Sequence, residues 1–309
     1  MATARPTLAA IGCTGPVSHE FVQGFLQQDI QLRILARRPE QIAARFPTAE
    51  VVAGSMSNPD DVARVVEDVD AAFVMTPMGM RDQAGPEVEI AKAVIAGAKA
   101  GQLKHFIYTS VLGAERARGV GILDAKCEIE QMLASSGLPY TLMRCGSYME
   151  DVFDPRLALL NKGIFLFPIN KERRFAYTSQ RDVPRFIAQE LLAKSQVLNR
   201  SFNFIAPGTY SVREVEALLS QARGKKIRAP AKFPLFYLFL ALKPYFNWVS
   251  HRFSSVVPLM EHFDKHGYTD ASADTETLFP SFRMTTLEEH LGALWPENAA
   301  VSAPTPAQA

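Results

Sequence analysis

The glycine-rich segment near the N-terminus limits the folds available to this chain more than any other feature. An apolar run over residues 8–11 leads into the glycine-bearing turn 12–15, and apolar residues beyond Pro16 recur at helical spacing. Strand, glycine turn and helix in this order are typical of an α/β unit that binds a dinucleotide. A pyrophosphate needs bare backbone N–H groups at a helix N-terminus, and only glycine lets the main chain come so close. Ser18 fills the third small position of this fingerprint, where helix and sheet pack tightly.

Apolar runs and helical periodicities alternate along the first half of the chain. Alternating strands and helices joined by short links fold as a parallel sheet with right-handed crossovers. We therefore predict an α/β fold built on a Rossmann-type, doubly wound parallel sheet, whose strand ends line one ligand crevice. The predicted strands are 8–11, 31–36, 51–54, 70–75, 104–110 and 140–144, and the predicted helices begin near Pro16 and cover 59–67, 86–100 and 123–135.

The regular alternation ends after Gly146, which predicts a change of domain. We predict an NAD(P)-binding Rossmann domain over residues 1–150 and a smaller α/β substrate-binding region over 151–298, the two interleaved at the sheet edge. Residues 299–309 have no core-forming pattern and are expected to be disordered. The pattern of the second half predicts helices over 148–163 and 182–192, a strand over 202–205, and a helix from Ser211 whose capping box includes Glu214.

Composition excludes several classes of protein. The 33 basic and 32 acidic residues nearly cancel, so bulk charge indicates neither a nucleic-acid partner nor an anionic membrane surface. Cys13, Cys127 and Cys145 fit no metal-ligand spacing, and their odd number argues against a disulfide framework, which favours a reducing, cytoplasmic location. The N-terminus lacks a signal-peptide pattern, and no run reaches about 18 uninterrupted apolar residues, so stable membrane insertion is not expected.

The residues that follow the second predicted strand bear on the choice of cofactor. In this fold an acidic residue here accepts the ribose hydroxyls of NAD, whereas arginine accommodates a 2′-phosphate. This chain has Arg37 and Arg38 and no acid at the position. The pair therefore favours NADP(H), with ordinary solvated loop cations as the alternative interpretation.

Six segments together resemble the NmrA-like family of atypical short-chain dehydrogenase/reductases. They occur in family order and span residues 8 to 220. The resemblance implies a Rossmann fold that binds NADP(H), in a family that includes NADPH-dependent reductases and also regulators that bind the dinucleotide without turnover. The segments are IGCTGPVS, ILARRPEQ, KHFIYTS, DAKCEIEQMLASSGLPYTLMRCGSYMED, SQRDVPRFI and FNFIAPGTYSVREV.

The resemblance also implies roles for individual positions. The glycine turn matches the pyrophosphate loop, the arginines match the 2′-phosphate contacts, and a turn after the fourth strand matches the contact with the cofactor ribose. A lysine on the helix after the fifth strand matches the residue that reaches the nicotinamide ribose, and a tyrosine matches the position flanking the nicotinamide ring. These roles fall on Gly12, Thr14, Gly15, Pro16 and Val17, on Arg37 and Arg38, on Thr76 and Pro77, and on Lys126 and Tyr148.

Two positions depart from the family pattern. Typical short-chain enzymes carry a tyrosine four residues before the family lysine, and this chain has Ile122 there. Ser55 stands where many relatives have an aspartate after the third strand, which leaves the adenine-side contacts undecided. Without a phenol poised as general acid, the site suits acceptors that take hydride without an obligatory protonated oxygen, such as quinones, imines, cationic dyes and activated double bonds.

Three residues are the candidate catalytic groups. Ser110, at the end of the fifth strand, can hydrogen-bond an oxyanion, Lys126 can hold the ribose and donate a proton, and Tyr148 flanks the nicotinamide. Each has a structural alternative. Ser110 can bond to backbone, Lys126 can be a solvated helix lysine paired with Glu130, and Tyr148 can be a core residue of the following helix.

Together these features predict an NADPH-dependent oxidoreductase that transfers hydride to a hydrophobic, aromatic or quinone-like small molecule. The alternative is an NADP(H)-binding redox sensor without turnover, which the missing tyrosine motivates. Epimerisation with bound nicotinamide has no positive feature in the sequence. No metal site is predicted, because His262 and His266 beside Glu261 suggest no third ligand. The sequence does not decide the oligomeric state, and a homodimer stays open.

The segment 233–249 is the most apolar run of the chain. We predict a buried helix that closes the smaller region. A wall or lid for a large hydrophobic substrate is the functional alternative, because aromatic and leucine-rich walls favour flat ligands. Interfacial membrane attachment is the third interpretation, although the segment contains Lys243 and two prolines and has no strongly basic face.

Overall fold

The computed structural model describes residues 5–15, 18–77, 85–116, 119–154, 159–167, 169–192, 198–230, 252–269 and 274–301. The predictions for Pro16, Val17 and the segment 233–249 lie outside these ranges. Within them, no helix combines the length and the apolar character needed to cross a membrane.

Seven parallel strands form the central sheet, in the order β3–β2–β1–β4–β5–β6–β10. The predicted doubly wound parallel sheet is therefore confirmed. Strand β1 lies between β2 and β4, so the strands that follow it in sequence are placed first on one side of β1 and then on the other. This reversal creates the crevice where such sheets bind ligands. The strands are β1 Thr7–Ile11, β2 Gln31–Ala36, β3 Glu50–Ala53, β4 Ala71–Val74, β5 Phe106–Val111, β6 Tyr140–Cys145, β7 Ser147–Tyr148, β8 Arg174–Phe175, β9 Tyr177–Thr178, β10 Arg200–Phe204 and β11 Tyr210–Ser211.

Helices cover both faces of the sheet. Side chains alternate along a strand, so Leu8 and Ala10 of β1 join one core with Phe21, while Ala9 joins the opposite core with Val94. This double burial explains why the strands read as continuous apolar runs. The helices are α1 His19–Leu26, α2 Pro39–Arg45, α3 Pro59–Val66, α4 Gly85–Ala100, α5 Gly121–Ala134, α6 Met149–Val152, α7 Asp182–Phe186, α8 Val212–Arg223, α9 Arg252–His266, α10 Asp274–Leu278 and α11 Leu287–Ala293.

Helix α2 was not predicted from the sequence. It begins at Pro39, and none of its residues is buried. Helix prediction from sequence depends on an apolar stripe, and a fully surface helix of seven residues carries none. The remaining sequence signal for this helix was the proline at its first position, because its fixed φ suits the start of a helix.

The helix predicted over 148–163 is wrong. Tyr148 lies on the short strand β7, which pairs in parallel with β9, and helix α6 ends at Val152. A short 3-10 turn, Leu160–Lys162, follows later. Two features explain the difference. A Cβ at Gly146 would lie 2.6 Å from the Ala176 carbonyl oxygen, so this backbone passes close to another segment, and a residue that precedes a proline, as Asp154 does, disfavours helix.

The second half of the chain completes the sheet of the first. Strand β10 pairs in parallel with β6, from Arg200 opposite Thr141 to Phe204 opposite Cys145. A second apolar core lies beyond this edge, and residues from both sides of position 150 contribute to it, including Leu112, Phe165, Tyr177 and Trp295. A 3-10 helix, Pro296–Val301, overlaps the first residues of the tail predicted at 299–309.

Helix α8 begins with the predicted capping box. The Ser211 hydroxyl accepts the Glu214 N–H at 3.2 Å, and the Glu214 carboxylate accepts the Ser211 N–H at 2.6 Å. Ser211→Ala removes one acceptor from the helix N-terminus, so we expect the free energy of unfolding to fall by about 1 kcal/mol in urea titrations. Ser211→Asn keeps an acceptor and serves as the control. Equal losses for both variants would contradict the capping role.

Candidate functional site

A cavity of about 390 Å³ lies at the carboxyl ends of β1, β2, β3 and β4. Parallel strands bring their carboxyl ends to one edge, and the switch in strand order beside β1 opens the crevice there. Five of the residues predicted to bind the cofactor line this cavity. The lining residues are Gly12, Thr14, Gly15, Leu35, Arg37, Gly54, Ser55, Met56, Ser57, Pro77 and Ile90.

The turn after β1 brings bare main chain to the cavity. Gly12 has φ +82°, and a Cβ at this position would lie 1.9 Å from the Met75 carbonyl oxygen, so only glycine fits. The buried Ser18 hydroxyl donates to the Gly12 and Gly15 carbonyls, each at 3.4 Å, and does not cap α1. Ser18, immediately before α1, therefore holds the turn in place through these hydrogen bonds. It is the small residue that the sequence placed third in the glycine fingerprint.

The two arginines after β2 have different positions. Arg37 lines the cavity, whereas Arg38 precedes α2 and is not among the lining residues. Both side chains are exposed, and no described carboxylate forms an ion pair with Arg37. An unpaired guanidinium at the rim of an anion-binding turn fits a phosphate group. Of the pair, Arg37 is thus the stronger candidate for the 2′-phosphate contact.

The loop after β3 supplies four cavity residues, of which sequence reasoning singled out only Ser55, as a position on the adenine side. Gly54, Ser55, Met56 and Ser57 follow the strand end directly. The Ser55 N–H donates to the Asp61 carboxylate at 2.8 Å, and this bond lowers the pKa of Asp61. The sequence signal that could have identified these residues is their position directly after β3, because every strand end on this edge of the sheet faces the crevice. Leu35 and Ile90 were also missed.

Lys126 lies in a buried polar cluster beside the cavity. Its ammonium Nζ is 2.9 Å from Glu87 Oε1, 3.0 Å from Thr76 Oγ1 and 3.0 Å from the Tyr108 hydroxyl. Thr76 Oγ1 is also 2.6 Å from Glu87 Oε1 and 2.7 Å from the Tyr108 hydroxyl. Thr76 precedes Pro77, which lines the cavity. Two adjacent residues therefore connect the cavity to the ammonium.

The alternative interpretation of Lys126 as a solvated lysine paired with Glu130 is wrong. Lys126 is only 4% exposed, and Glu130 instead binds Arg144 at 2.6 Å. Burial by itself lowers the pKa of the Lys126 ammonium, but Tyr108 and the Glu87 carboxylate more than offset that effect and raise it. The pKa of Tyr108 is also raised, mainly by burial. The chain thus holds a protonated amine inside the protein.

Ser110, the penultimate residue of β5, has a buried hydroxyl with no hydrogen-bond partner among the described residues. The residue is 2% exposed. A buried polar atom is normally hydrogen-bonded, and one left unsatisfied is costly. The backbone bond considered as an alternative is not present in the described part of the chain. The orphaned oxygen fits a contact with a bound ligand, as predicted for this residue.

Tyr148 is half-buried on β7 and packs edge-on against Phe21 at a ring distance of 5.6 Å. Burial raises the pKa of Tyr148 well above its usual range, and the side chain hydrogen-bonds the Cys145 thiol. Burial raises the pKa of that thiol to about 12, partly opposed by Tyr148 and by the Lys126 charge. Tyr148 therefore lies against the Cys145 thiol. The role of Tyr148 beside a nicotinamide ring stays a prediction.

These features fit a phosphorylated dinucleotide. The cavity provides a glycine cradle at Gly12 and an unpaired cation at Arg37, and Ser110 provides an orphaned hydroxyl. In the described ranges, no three His, Cys, Asp or Glu side chains lie close enough together to hold a metal ion. The three cysteines are buried and form no disulfide with one another. The individual contacts with a cofactor stay predictions.

Comparison with known proteins shows which family the sequence matches. The sequence model of the NmrA-like family matches residues 5–291. NAD(P)H azoreductase of Xenophilus azovorans is 27% identical over 224 residues, which cover 72% of this chain and 75% of that protein. Photosystem II assembly factor Ycf39 of Cyanophora paradoxa is 24% identical over 252 residues, which cover 78% of this chain and 77% of that protein.

A solved structure shares the fold. The NADPH-dependent quinone oxidoreductase QOR2 from Escherichia coli, in complex with NADPH, superposes with a TM-score of 0.75 at 21% identity. The match covers 93% of this chain and 99% of that chain. The shared architecture therefore extends through the second half, where the alternation of strands and helices no longer predicted a fold.

Proposed function

This chain belongs to the NmrA-like family, and we propose that it is an NADPH-dependent reductase of hydrophobic, aromatic or quinone-like acceptors. One observation carries the proposal. Pro77 lines the dinucleotide cavity, and the preceding residue Thr76 accepts a hydrogen bond from the buried Lys126 ammonium. A charged amine beside a dinucleotide site suits hydride transfer, because it can stabilise negative charge on the reduced acceptor. Azoreductase and quinone oxidoreductase activities among the similar proteins support the same chemistry.

The protein residues bind, orient and exclude water, while bound NADPH supplies the hydride. The glycine turn at Gly12 and Gly15 would hold the pyrophosphate, and Arg37 the 2′-phosphate. Lys126 would hold the nicotinamide ribose and carry a proton at Nζ. Ser110 would hydrogen-bond the acceptor or the nicotinamide end of the cofactor. Apart from the exposed Arg37, these groups are preorganised by backbone or by buried packing, which is the protein's main contribution to such a step.

The acceptor class follows from what the site lacks. Position 122, where typical short-chain enzymes carry a tyrosine, holds the buried Ile122. No phenol therefore stands there as a general acid. Acceptors such as quinones, azo compounds and cationic dyes take hydride without a protonated oxygen in the transition state, so they need less acid catalysis.

NADPH oxidation by the purified protein tests the proposal. We expect oxidation with at least one of a panel of quinones, azo dyes and triphenylmethane dyes, and little with simple ketones. The competing hypothesis is a sensor that binds NADP(H) and acts through a protein partner, and the similarity to an assembly factor is in its favour. Saturable NADPH binding with no oxidation by any acceptor would refute the reductase and support the sensor.

Arg37→Ala tests the choice of cofactor. A charge-assisted hydrogen bond contributes about 1.5 to 3 kcal/mol, so we expect NADPH to bind about 10- to 100-fold more weakly, as measured by calorimetry. NADH lacks the 2′-phosphate, and its affinity should change little. Arg38→Ala is the matched control next to it, and a smaller loss is expected because Arg38 does not line the cavity. Equal losses for NADPH and NADH would contradict the phosphate contact.

A further inference from the structure

We propose that Glu87 and Tyr108 are positioning residues for Lys126, fixing its ammonium in one place from α4 and β5. The phenol that α5 lacks at Ile122 would thus reach the lysine from a strand instead. The Tyr108 side chain is fully buried and its hydroxyl contacts Thr76 and Lys126, so its role passes through Lys126. The catalytic consequence of this inference rests on the proposed reductase function, whereas the positioning itself does not.

The hydrogen atoms of the cluster allow one arrangement. Thr76 has a single hydroxyl hydrogen, and the Glu87 carboxylate, 2.6 Å away, can only accept it. The Tyr108 hydroxyl must then donate to Thr76 Oγ1 across 2.7 Å. The three N–H groups of Lys126 are directed to Thr76, Tyr108 and Glu87. Each contact in the cluster thus has one donor, which fixes the orientation of the ammonium until the proposed ribose contact takes one of these N–H groups.

The cluster is also closed to water. Glu87 is 1% exposed, Lys126 4% and Thr76 6%. The members come from α4, α5, β5 and the end of β4, and apolar residues of the same core surround them. A buried ammonium is costly without a counter-charge, and removing one partner of such a pair leaves the other uncompensated. Glu87 supplies that counter-charge.

Among the described residues, few titratable groups face Lys126. Glu87 approaches from α4 and Tyr108 from β5, and burial raises the pKa of Cys145 on β6, an effect that the Lys126 charge partly opposes. Glu130, one turn along α5, is held by Arg144. Glu87 is therefore the anion in contact with the ammonium. With it in place, Lys126 stays protonated at neutral and mildly alkaline pH and acts as a fixed cation.

Nuclear magnetic resonance of lysine side chains in the cofactor-free, full-length protein tests the positioning. Lysines are labelled with ¹³C at Cε, and the Lys126 signal is identified by its absence in Lys126→Met. We expect wild-type Lys126 to titrate at higher pH than the exposed lysines. In Glu87→Gln, burial is no longer opposed by a negative charge, so the signal should titrate about 3 pH units lower.

Two further variants control this experiment. Glu130→Gln removes an equally buried carboxylate from the same helix as Lys126 and should leave the Lys126 titration unchanged. Tyr108→Phe removes one uncharged hydrogen-bond partner of Lys126. This loss is milder than the loss of a charge, so the Lys126 titration should move to lower pH by less than in Glu87→Gln. This variant keeps the test decisive if Glu87→Gln does not fold. An unchanged titration in Tyr108→Phe and Glu87→Gln, or an equal shift in Glu130→Gln, would overturn the proposal.

A second measurement separates positioning from a purely structural ion pair between α4 and α5. A structural pair would change the melting temperature alone. A positioning pair also makes NADPH affinity depend on pH, so in Glu87→Gln the dissociation constant should rise as Lys126 loses its proton, over the same pH range as the NMR titration of that variant. Wild type and Glu130→Gln should show this rise only at higher pH. Because both readouts need no acceptor, they stand even if no acceptor oxidises NADPH.

Discussion

Lys126→Met is expected to lower kcat for acceptor reduction by about 10²- to 10³-fold, the range typical of losing a group that stabilises developing negative charge. Methionine keeps the length and apolar stem of the side chain but removes both the charge and the three donors. The measurement is steady-state NADPH oxidation with the best acceptor of the panel. KM for NADPH should rise as well, because the predicted ribose contact is lost.

This substitution leaves Glu87 as a buried carboxylate without its ammonium, so folding must be controlled separately. The double variant Lys126→Met with Glu87→Gln removes both charges and should recover much of the lost stability, because a buried pair can be replaced by neutral groups at little cost. Lys92→Met, an exposed lysine on α4, should retain activity. If kcat of Lys126→Met matched that of Lys92→Met, the proposed role would be refuted.

Gly12→Ala is expected to lower the free energy of unfolding by about 3 kcal/mol and to abolish measurable NADPH binding. The new Cβ would lie 1.9 Å from the Met75 carbonyl oxygen, at a residue with φ +82°. The atom in the way is main chain and cannot rotate aside as a side chain would, so the turn must move away from the cavity. For a chain of this size the melting temperature should fall by about 5 °C.

Gly137→Ala is the matched control for this experiment. Gly137 has φ +80°, but no atom lies within 4 Å of a Cβ added there. It therefore carries the conformational strain without the clash, and we expect a loss of about 1 to 2 kcal/mol with NADPH binding retained. If both variants bound NADPH equally, close approach of the main chain at Gly12 would not be required for the cofactor.

Local patterns made much of the fold predictable. The strands of the first half are continuous apolar runs, and the glycine turn, the Ser211 capping box and the helices with apolar stripes are each encoded within a few residues. The surface helix α2 had no stripe to detect. The predicted helix over 148–163 failed because a close approach between Gly146 and Ala176 directs this segment into strand pairing.

The sequence by itself determined a doubly wound sheet with a phosphate-binding turn and a cation beside it at Arg37, because these features depend on neighbouring residues. Only the tertiary structure decided which groups Lys126 contacts. On its own helix Glu130 stood at pairing distance, yet Arg144 from β6 binds Glu130, and Glu87 from α4 binds the lysine. The packing of separate elements sets such pairings, because a buried charge is stabilised by the partner that lies closest in space, whatever its distance along the sequence.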